Sequence, residues 1–581
     1  MSESTLQKPL RLWPGVVLVV VQWLAWLVVP MFASRGEFKM YGVMVALLAG
    51  PLVLLWWVAF SRARWFERLG AVVLVVAAMA AALRLVHPSV AEGNLGFQYF
   101  IYAIPVASLA FVTWAALSRH FPAGFRQASM VAVILISCGV WVLLRSEGLG
   151  GGGFPEFSWR WSETPEDRLL AHEDDQFAPP PPAPAAAEEV ESTGFRGPDR
   201  DGVVRGLRIG TDWSVSPPAE LWRRPVGPGV SSFAVGDGLL YTQEQRGGDE
   251  VVSCYKVASG EPVWRHRDTA RFWDSHVGAG PRATPALADG RVYTLGATGI
   301  MNALDARSGA LVWSRDAASD TGGGVPYFGY VNSPLVVDDV VIVNARKLVA
   351  YDMATGDPRW FGPDKGVSYS SPHLLRLGGV PQVLMLRPGR ITSVAPGDGS
   401  LLWKYRLAGD MTSVLQPALI EDGDFLISTM VDSSAVPDGT RRITVDHGPG
   451  GWTVEERWMS NRLKPSFSQI VVHEGHAYGF DGRILACIGL DQGRRKWKGG
   501  RYGAGQLLLL PEQDLLLVLS EGGEIALVAA SPDRFTELSR IPAIEGKTWS
   551  QPSLTGDILL VRNGQEMAAF RLPPELNRVG R

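Results

Sequence analysis

Tryptophan recurs at similar intervals between residues 222 and 497 of this 581-residue chain. Successive members of the series are 42, 49, 47, 43, 55 and 39 residues apart. The series consists of Trp222, Trp264, Trp313, Trp360, Trp403, Trp458 and Trp497. A period in the forties is the length of one four-stranded blade of a β-propeller. The spacing therefore predicts an all-β propeller in which each tryptophan packs between neighbouring blades.

Two of these tryptophans follow the same turn pattern, A-x-D-x-x-[ST]-G-x-x-x-W. The two copies supply Asp305, Gly309 and Trp313, and then Asp352, Gly356 and Trp360. In such a turn the aspartate accepts hydrogen bonds from backbone amides and the glycine adopts a positive φ. The pattern predicts a strand, a tight turn and a second strand that carries the tryptophan.

A second recurring element predicts the number of blades. Eight strand starts follow one another with a mean spacing of about 46 residues, at Ser232, Thr284, Ser333, Ser371, Gln416, Ser468, Gly505 and Gln551. The chain ends before an eighth outer strand, and residues 220–226, which contain Trp222, can supply it. Pairing the two chain ends in one blade would remove exposed sheet edges. We predict an eight-bladed propeller over residues 195–581; seven blades is the alternative, because starts six and seven are degenerate.

The first 146 residues are a different kind of sequence. They carry 11 Lys and Arg against 4 Asp and Glu, and the charges flank five apolar windows at 12–34, 40–61, 69–83, 93–118 and 127–144. Most are long enough to cross about 30 Å of hydrocarbon as a helix. The interpretation is a domain of five transmembrane helices, residues 1–146. Lys and Arg favour the even-numbered connections and the N-terminal segment, which predicts a cytoplasmic N-terminus and places the chain after Arg145 outside the cytoplasm.

Residues 147–194 read as a Gly/Pro-rich acidic linker. Residues 147–191 hold 2 Lys and Arg against 11 Asp and Glu, with a GLGGGG run and a tetraproline. Like charges and prolines favour an extended spacer that does not fold. The exception is the aromatic cluster of Phe154, Phe157, Trp159 and Trp161, which we expect either to lie at the membrane interface or to pack on the helices.

Composition excludes several classes. Residues 192–581 have a net charge of −1, which is unlike a nucleic-acid-binding surface. The chain has 3 cysteines, too few for a disulfide scaffold or an iron–sulfur protein. Cys254 and Cys487 each lie ten residues before a repeat tryptophan, so we expect them to be small core residues. The histidines show no metal-binding spacing, and no catalytic residues or metal ligands are predicted.

The repeat resembles the tryptophan-docking motif of the pyrroloquinoline-quinone (PQQ)-like propellers, over residues 195–572. That superfamily includes quinoprotein alcohol and glucose dehydrogenases and the non-catalytic propeller lipoprotein of the outer-membrane β-barrel assembly machinery. The resemblance implies an eight-bladed propeller. Lys256 and Ala395 depart from it, because they stand where the motif has aspartate.

The resemblance leaves two functions open. The first is a non-catalytic binding or cell-envelope assembly module, without a cofactor, on the periplasmic side of a bacterial inner membrane, with an envelope protein or peptide as partner. The alternative is a PQQ-dependent sugar or alcohol dehydrogenase that uses Ca²⁺ and passes electrons to membrane quinone, since membrane-bound quinoprotein glucose dehydrogenase resembles this layout. About 46 residues per blade leave no room for the insertions that enclose PQQ in such enzymes, so the sequence favours the binding module.

Residues at the inner-strand starts should face the central channel, where propeller ligands usually bind. The candidates are Arg282, Asn332, Tyr369, Ser370, Gln416, Ser468, Gln506, Trp549 and Gln551. They would form a polar ring with one cation. Under the dehydrogenase alternative, Arg282 would hold a cofactor carboxylate and Asn332 or a nearby carbonyl would bind Ca²⁺.

Overall fold

The computed structural model describes residues 12–29, 36–61, 64–150, 155–172, 191–407, 414–429, 439–465 and 467–575. The chain divides into two compact units. The first consists of residues 1–162 with 274–277, and the second of residues 163–273 with 278–581.

The first unit is mostly helical. Its helices are Trp13–Trp23, continued by a π-helical stretch Leu24–Val28, then Gly36–Phe60, Trp65–Leu85, Pro88–Ala91, Gly93–Gly96, Gln98–Leu117 with Ser118–His120, and Ala123–Gly139 with Val140–Leu143. Four segments are long and apolar enough to cross a membrane, namely Tyr41–Phe60, Trp65–Leu85, Gln98–Leu117 and Gly124–Leu143. The apolar helix Trp13–Val28 is shorter. The prediction of an N-terminal apolar helical region is confirmed, with four to five helices.

Part of the predicted linker is folded, both at the excepted aromatic cluster and at residues 165–171, where we expected an extended spacer. Leu144–Leu149 and Pro155–Trp159 form an antiparallel hairpin in the first unit. Phe157 packs on Tyr102 and Trp141, with ring centroids 5.3 and 5.8 Å apart. In the second unit, Thr164 caps the helix Pro165–Ala171 through a capping box with Asp167. The acidic Pro-rich stretch 173–190 lies outside the described residues.

The second unit is an eight-bladed propeller of four-stranded antiparallel sheets, as predicted. In chain order, blade 1 contains Ala234–Gly236, Leu239–Arg246, Asp249–Lys256 and Pro262–Asp268; blade 2 Ala286–Ala288, Arg291–Leu295, Ile300–Asp305 and Leu311–Asp316; blade 3 Leu335–Val337, Val340–Ala345, Lys347–Asp352 and Pro358–Phe361; blade 4 His373–Leu377, Val380–Arg387, Arg390–Val394 and Leu401–Arg406. Blade 5 contains Ala418–Glu421, Asp424–Thr429, Gly439–Gly448 and Gly451–Ser460; blade 6 Val471–His473, His476–Asp481, Ile484–Gly489 and Arg495–Arg501; blade 7 Gln506–Leu510, Leu515–Leu519, Glu524–Ala529 and Glu537–Pro542; blade 8 Ser553–Thr555, Ile558–Arg562, Glu566–Arg571 and Ala219–Pro225.

Blade 8 closes the ring with strands from both ends of the propeller. Ala219–Pro225 pairs antiparallel with Glu566–Arg571, and Trp222 lies opposite Ala569. This confirms the predicted closing strand near residues 220–226.

Five of the seven repeat tryptophans dock on the next blade through the indole and a glycine. Trp264 Nε1 donates to the Ala306 carbonyl at 2.9 Å, and Trp313 Nε1 donates to the Met353 carbonyl at 3.0 Å. A Cβ on Gly309, whose φ is +71°, would lie 2.5 Å from the Trp264 ring. The indole therefore fits only against a residue that has no side chain.

A tryptophan can dock on the next blade even where the motif aspartate is absent. Trp222, facing the turn that contains Lys256, still donates to the Val257 carbonyl at 2.7 Å. Trp403 is different: its Nε1 donates to Gln382 Oε1 in its own blade, at 2.7 Å. The following blade has the long hairpin Gly439–Gly448 and Gly451–Ser460 where the others have a tight turn. Cys254 and Cys487 are free, buried core residues opposite Trp264 and Trp497.

Candidate binding site at the channel

Hydroxyl side chains link the inner strands of successive blades. The Ser232 amide donates to Thr284 Oγ1 at 3.1 Å, and the Thr284 amide donates to Ser333 Oγ at 2.9 Å. The Ser333 amide donates in turn to Ser371 Oγ at 2.9 Å. The short polar residues at the strand starts therefore satisfy backbone groups of the preceding blade.

Most of the predicted channel residues likewise form hydrogen bonds with backbone groups of the inner strands. The Asn332 side chain donates to the Asn344 carbonyl at 2.7 Å and accepts from its amide at 2.9 Å. Ser370 Oγ donates to the Leu415 carbonyl at 2.9 Å. The remaining amide side chains bridge to adjacent blades: Gln416, with its amide turned so that both atoms are satisfied, donates to the Ser371 carbonyl and accepts from the Ser371 amide at 3.0 Å, and Gln506 and Gln551 donate to the carbonyls of Trp549 and Leu507 at 3.1 and 3.0 Å. Ser468 is likewise buried.

Arg282, the predicted anion anchor, is 7% exposed. Its guanidinium donates to the carbonyl of Gly278 at 2.9 Å and to that of Gly280. It also lies 4.8 Å from the centroid of the Phe272 ring. These bonds hold the guanidinium against the loop that precedes blade 2.

The two predicted aromatic residues sit in half-buried pairs. Tyr369 contacts Phe328 edge to face, with ring centroids 5.2 Å apart. Trp549 packs on Phe467 at 4.8 Å, and its Nε1 donates to Glu521 Oε1 at 3.1 Å. Aromatic rings are therefore present on the connections that lead into several inner strands.

The sequence analysis missed a segment that runs across the inner strands. In residues 192–204, the Ser192 carbonyl accepts from the amide of Val235 in blade 1, at 2.7 Å. The Val204 amide donates to the carbonyl of Leu509 in blade 7, at 2.8 Å. Between them, Arg196 donates to the Ile470 carbonyl at 3.0 Å and Arg200 to the Pro334 carbonyl at 2.7 Å. We call residues 192–204 the crossing segment.

The crossing segment brings two buried cations among the inner strands. Burial lowers the pKa of Arg196 to about 10 and that of Arg200 to about 9. Burial, with the two arginines nearby, lowers the pKa of His373 to about 3. The local sequence Asp199-Arg200-Asp201-Gly202 is that of an ordinary turn. Only the hydrogen bonds of Arg196 and Arg200 to distant blades distinguish this segment from an ordinary turn. The sequence therefore contains no signal that would have identified it.

The channel residues do not fit PQQ and Ca²⁺ as the dehydrogenase alternative requires. Arg282 and Asn332, the proposed ligands, are bonded to backbone groups of their own surroundings. Ca²⁺ needs six to eight oxygen ligands. Among the described residues, the one group of three His or acidic side chains with ligand atoms within 4.8 Å of one another is His473, Glu474 and Asp514. It lies on the turns after the first strands of blades 6 and 7, not among the predicted channel residues.

Comparison with known proteins gives the propeller a family context. Residues 213–363 and 248–498 match the family model described as outer membrane protein assembly factor BamB. The assembly factor BamB of Shewanella oneidensis is 29% identical over 155 residues, which are 25% of this chain and 36% of that relative. The match thus spans about a third of the curated relative.

Solved structures repeat the architecture at low identity. BamB from Moraxella catarrhalis is 16% identical and has a TM-score of 0.45; the match covers 63% of this chain and 99% of that one. Quinohemoprotein alcohol dehydrogenase ADHIIG from Pseudomonas putida HK5 is 13% identical with a TM-score of 0.47, covering 68% of this chain and 82% of that one. Values this low carry no information about activity. The propeller of this chain is therefore similar in sequence, over residues 213–498, to the outer membrane protein assembly factor BamB.

Proposed function

We propose that the propeller is a non-catalytic binding module for an envelope protein, held by the N-terminal helices on the extracytoplasmic side of the bacterial inner membrane. The observation that carries the proposal is the match of residues 213–498 to the assembly-factor model. The bonds of Asn332 and Ser370 to the backbone support it, because these two channel side chains are not free to hold a cofactor, whereas the Oε1 atoms of Gln506 and Gln551 have no partner.

The surface best suited to a partner lies on the connections into blades 3 and 4. We call Val325, Tyr327, Phe328 and Tyr369 the aromatic patch. Val325 is 45% and Tyr327 41% exposed. Ring contacts join the three aromatic residues, with centroids 4.9 Å apart for Tyr327 and Phe328. Rigid aromatic side chains are enriched in protein interfaces because they bury a large area with little loss of conformational entropy.

Two cations flank the aromatic patch. Arg346 Nε donates to the Gly324 carbonyl at 3.4 Å, and Lys365 Nζ to the Gly322 carbonyl at 3.3 Å. Among the described residues, neither cation has a carboxylate within ion-pair distance. The patch therefore suits a partner segment that combines apolar side chains with carboxylates.

Site-specific photo-cross-linking in cells tests this proposal. A photoreactive phenylalanine derivative replaces Tyr327 in the intact membrane protein, and Leu538, 42% exposed on the outer strand of blade 7, serves as the matched control position. We expect a discrete adduct with an envelope protein from position 327 and not from 538. Charge reversal by Lys365→Glu should reduce that adduct several-fold. Equal labelling from both positions, or none from 327, would contradict the proposal.

The dehydrogenase alternative has its own test. Calorimetric titration of PQQ with Ca²⁺ into the intact, detergent-solubilised protein should give no saturable heat. Micromolar binding that Arg282→Ala abolishes would favour the alternative and justify a substrate screen with quinone acceptors.

A further inference from the structure

A cluster of polar side chains lies between the outer strands of blade 1 and the middle of blade 2. Glu250 and Asp268 stand directly opposite each other on the third and fourth strands of blade 1. Asn302 Nδ2 of blade 2 donates to Asp268 Oδ2 at 2.6 Å. His266 Nε2 lies 3.4 Å from Asp268 Oδ1. We call Glu250, His266, Asp268, Thr298 and Asn302 the interblade cluster.

The turn after the second strand of blade 2 surrounds the Glu250 carboxylate. Glu250 Oε1 accepts from the Ala297 amide at 3.1 Å. A Cβ on Gly296 would lie 2.0 Å from Glu250 Oε2, so only glycine at this position leaves room for the carboxylate. The backbone turn thus fits closely around both carboxylate oxygens and donates a backbone hydrogen bond to one of them.

The cluster contains buried oxygen atoms that have no hydrogen-bond partner. Glu250 is 4% exposed and its Oε2 has no hydrogen-bond partner within 3.5 Å. Asn302 is 1% exposed and its Oδ1 has no hydrogen-bond partner either. Thr298 Oγ1 has no partner within 3.5 Å, but its hydroxyl is near enough to the Glu250 carboxylate to act as a hydrogen-bond donor that lowers its pKa. Buried acceptors are nearly always satisfied in proteins, and each exception calls for an explanation such as an ion or a water.

Two carboxylates face each other on adjacent strands of the cluster. Glu250 lies opposite Asp268, and the two carboxylates are close enough to repel each other, while Arg282 attracts the Glu250 carboxylate. A divalent cation between the two carboxylates would offset their repulsion.

We propose that the interblade cluster binds a divalent cation of the Ca²⁺ type, with carboxylate oxygens of Glu250 and Asp268 and the amide oxygen of Asn302 as ligands. Oxygen donors of these three kinds are those that Ca²⁺ prefers. The Asp268 and His266 side chains are 20% and 17% exposed, which gives an ion access from solvent. Bound Ca²⁺ would join blades 1 and 2. The site uses none of the predicted channel residues and does not depend on the proposed function.

Calcium titration of the intact protein tests the proposal. The detergent-solubilised chain is stripped with EGTA and titrated with CaCl₂ by calorimetry, without PQQ. We expect one Ca²⁺ per chain and a rise in melting temperature on binding. Glu250→Gln and Asp268→Asn should each weaken binding at least tenfold, since each removes one ligand charge. The matched control is Glu261→Gln, a half-exposed glutamate of the same blade, which should bind as the wild type does.

The melting temperature in EGTA separates loss of the ligand from loss of the fold. Glu250→Gln should melt no lower than the wild type without Ca²⁺, because it removes a repulsive charge, and it should lose the Ca²⁺-dependent rise. Wild-type protein with no heat and no rise up to millimolar Ca²⁺ would overturn the proposal, as would binding that survives both substitutions. Zn²⁺ binding that replaces Ca²⁺ binding and is lost in His266→Gln would overturn the oxygen-donor assignment.

Discussion

His373 is a buried imidazole that the fold keeps neutral. It is 2% exposed, its Nδ1 has no hydrogen-bond partner, and Arg200 and Arg196 lie near it. Its folded pKa of about 3 is far below the value of about 6.5 expected in the unfolded chain. Between these values the unfolded state binds more protons, so the free energy of unfolding falls as the pH is lowered.

Replacing His373 should remove this pH dependence. The wild type should lose about 1.4 kcal/mol per pH unit below pH 6.5, or about 2 kcal/mol by pH 5, through this group. His373→Gln should lose about 2 kcal/mol less than the wild type between pH 7 and pH 5. Urea unfolding of the intact protein at both pH values measures the difference. His172→Gln, which alters an exposed histidine, should follow the wild type. An equal loss in His373→Gln would show that another group carries the dependence.

At the residue scale, the sequence predicted where a side chain lies in the fold better than it predicted the groups that the side chain contacts. Trp313 and Gly356 were identified because their roles are fixed by a repeated local pattern. Arg282 was identified as facing the channel, but its guanidinium folds back on Gly278 and Gly280, a choice that depends on loop conformation. Arg196 and Arg200 were missed because their partners are more than 130 residues away in the chain.

At the scale of the element, the contact that defines a blade is an indole against a glycine. Gly356 has a φ of +75°, and a Cβ there would lie 2.6 Å from the Trp313 ring. Gly290 has a similar φ of +69°, but a Cβ there would meet nothing within 4 Å. The two glycines share the backbone requirement and differ in the contact.

Comparing alanine substitutions at Gly290 and Gly356 separates the energy of the docking contact from that of backbone strain. Gly290→Ala should lower the free energy of unfolding by about 1 kcal/mol, the cost of a left-handed backbone with a side chain. Gly356→Ala should lower the free energy of unfolding by about 1–3 kcal/mol more than Gly290→Ala does, because the methyl group displaces the indole. Denaturant unfolding of both variants measures the difference. Equal losses would mean that backbone strain, and not docking, accounts for the repeated glycine.

Elements without a repeat were harder to predict. The blades follow from many weak copies of one pattern, whereas the hairpin Leu144–Leu149 and Pro155–Trp159 occurs once, within a Gly-rich acidic stretch. Its stability comes from Phe157 packing on Tyr102 and Trp141, which composition does not reveal. The long hairpin of blade 5 likewise breaks the repeat that predicts its neighbours.

At the scale of the molecule, the distribution of charge gives a prediction for the arrangement across the membrane. Lys and Arg in the short connections favour placing residues 118–126 in the cytoplasm and the propeller outside. The three native cysteines are buried, so an added surface cysteine can report its side of the membrane with little background labelling. Val215 is 73% exposed and Phe121 is 40% exposed, which makes them suitable positions.

Labelling with a membrane-impermeant maleimide in spheroplasts should modify Val215→Cys and leave Phe121→Cys unmodified until the membrane is permeabilised. This expectation is the same for four or five crossings, because the connection before Ala123 stays inside in both cases. The N-terminus differs: a cysteine at Ser2 should be protected if Trp13–Val28 belongs to a fifth crossing and labelled if only the four longer helices cross. Labelling of Phe121→Cys in intact spheroplasts would contradict the orientation. It would also remove the basis for an extracytoplasmic partner, because the propeller would then face the cytoplasm.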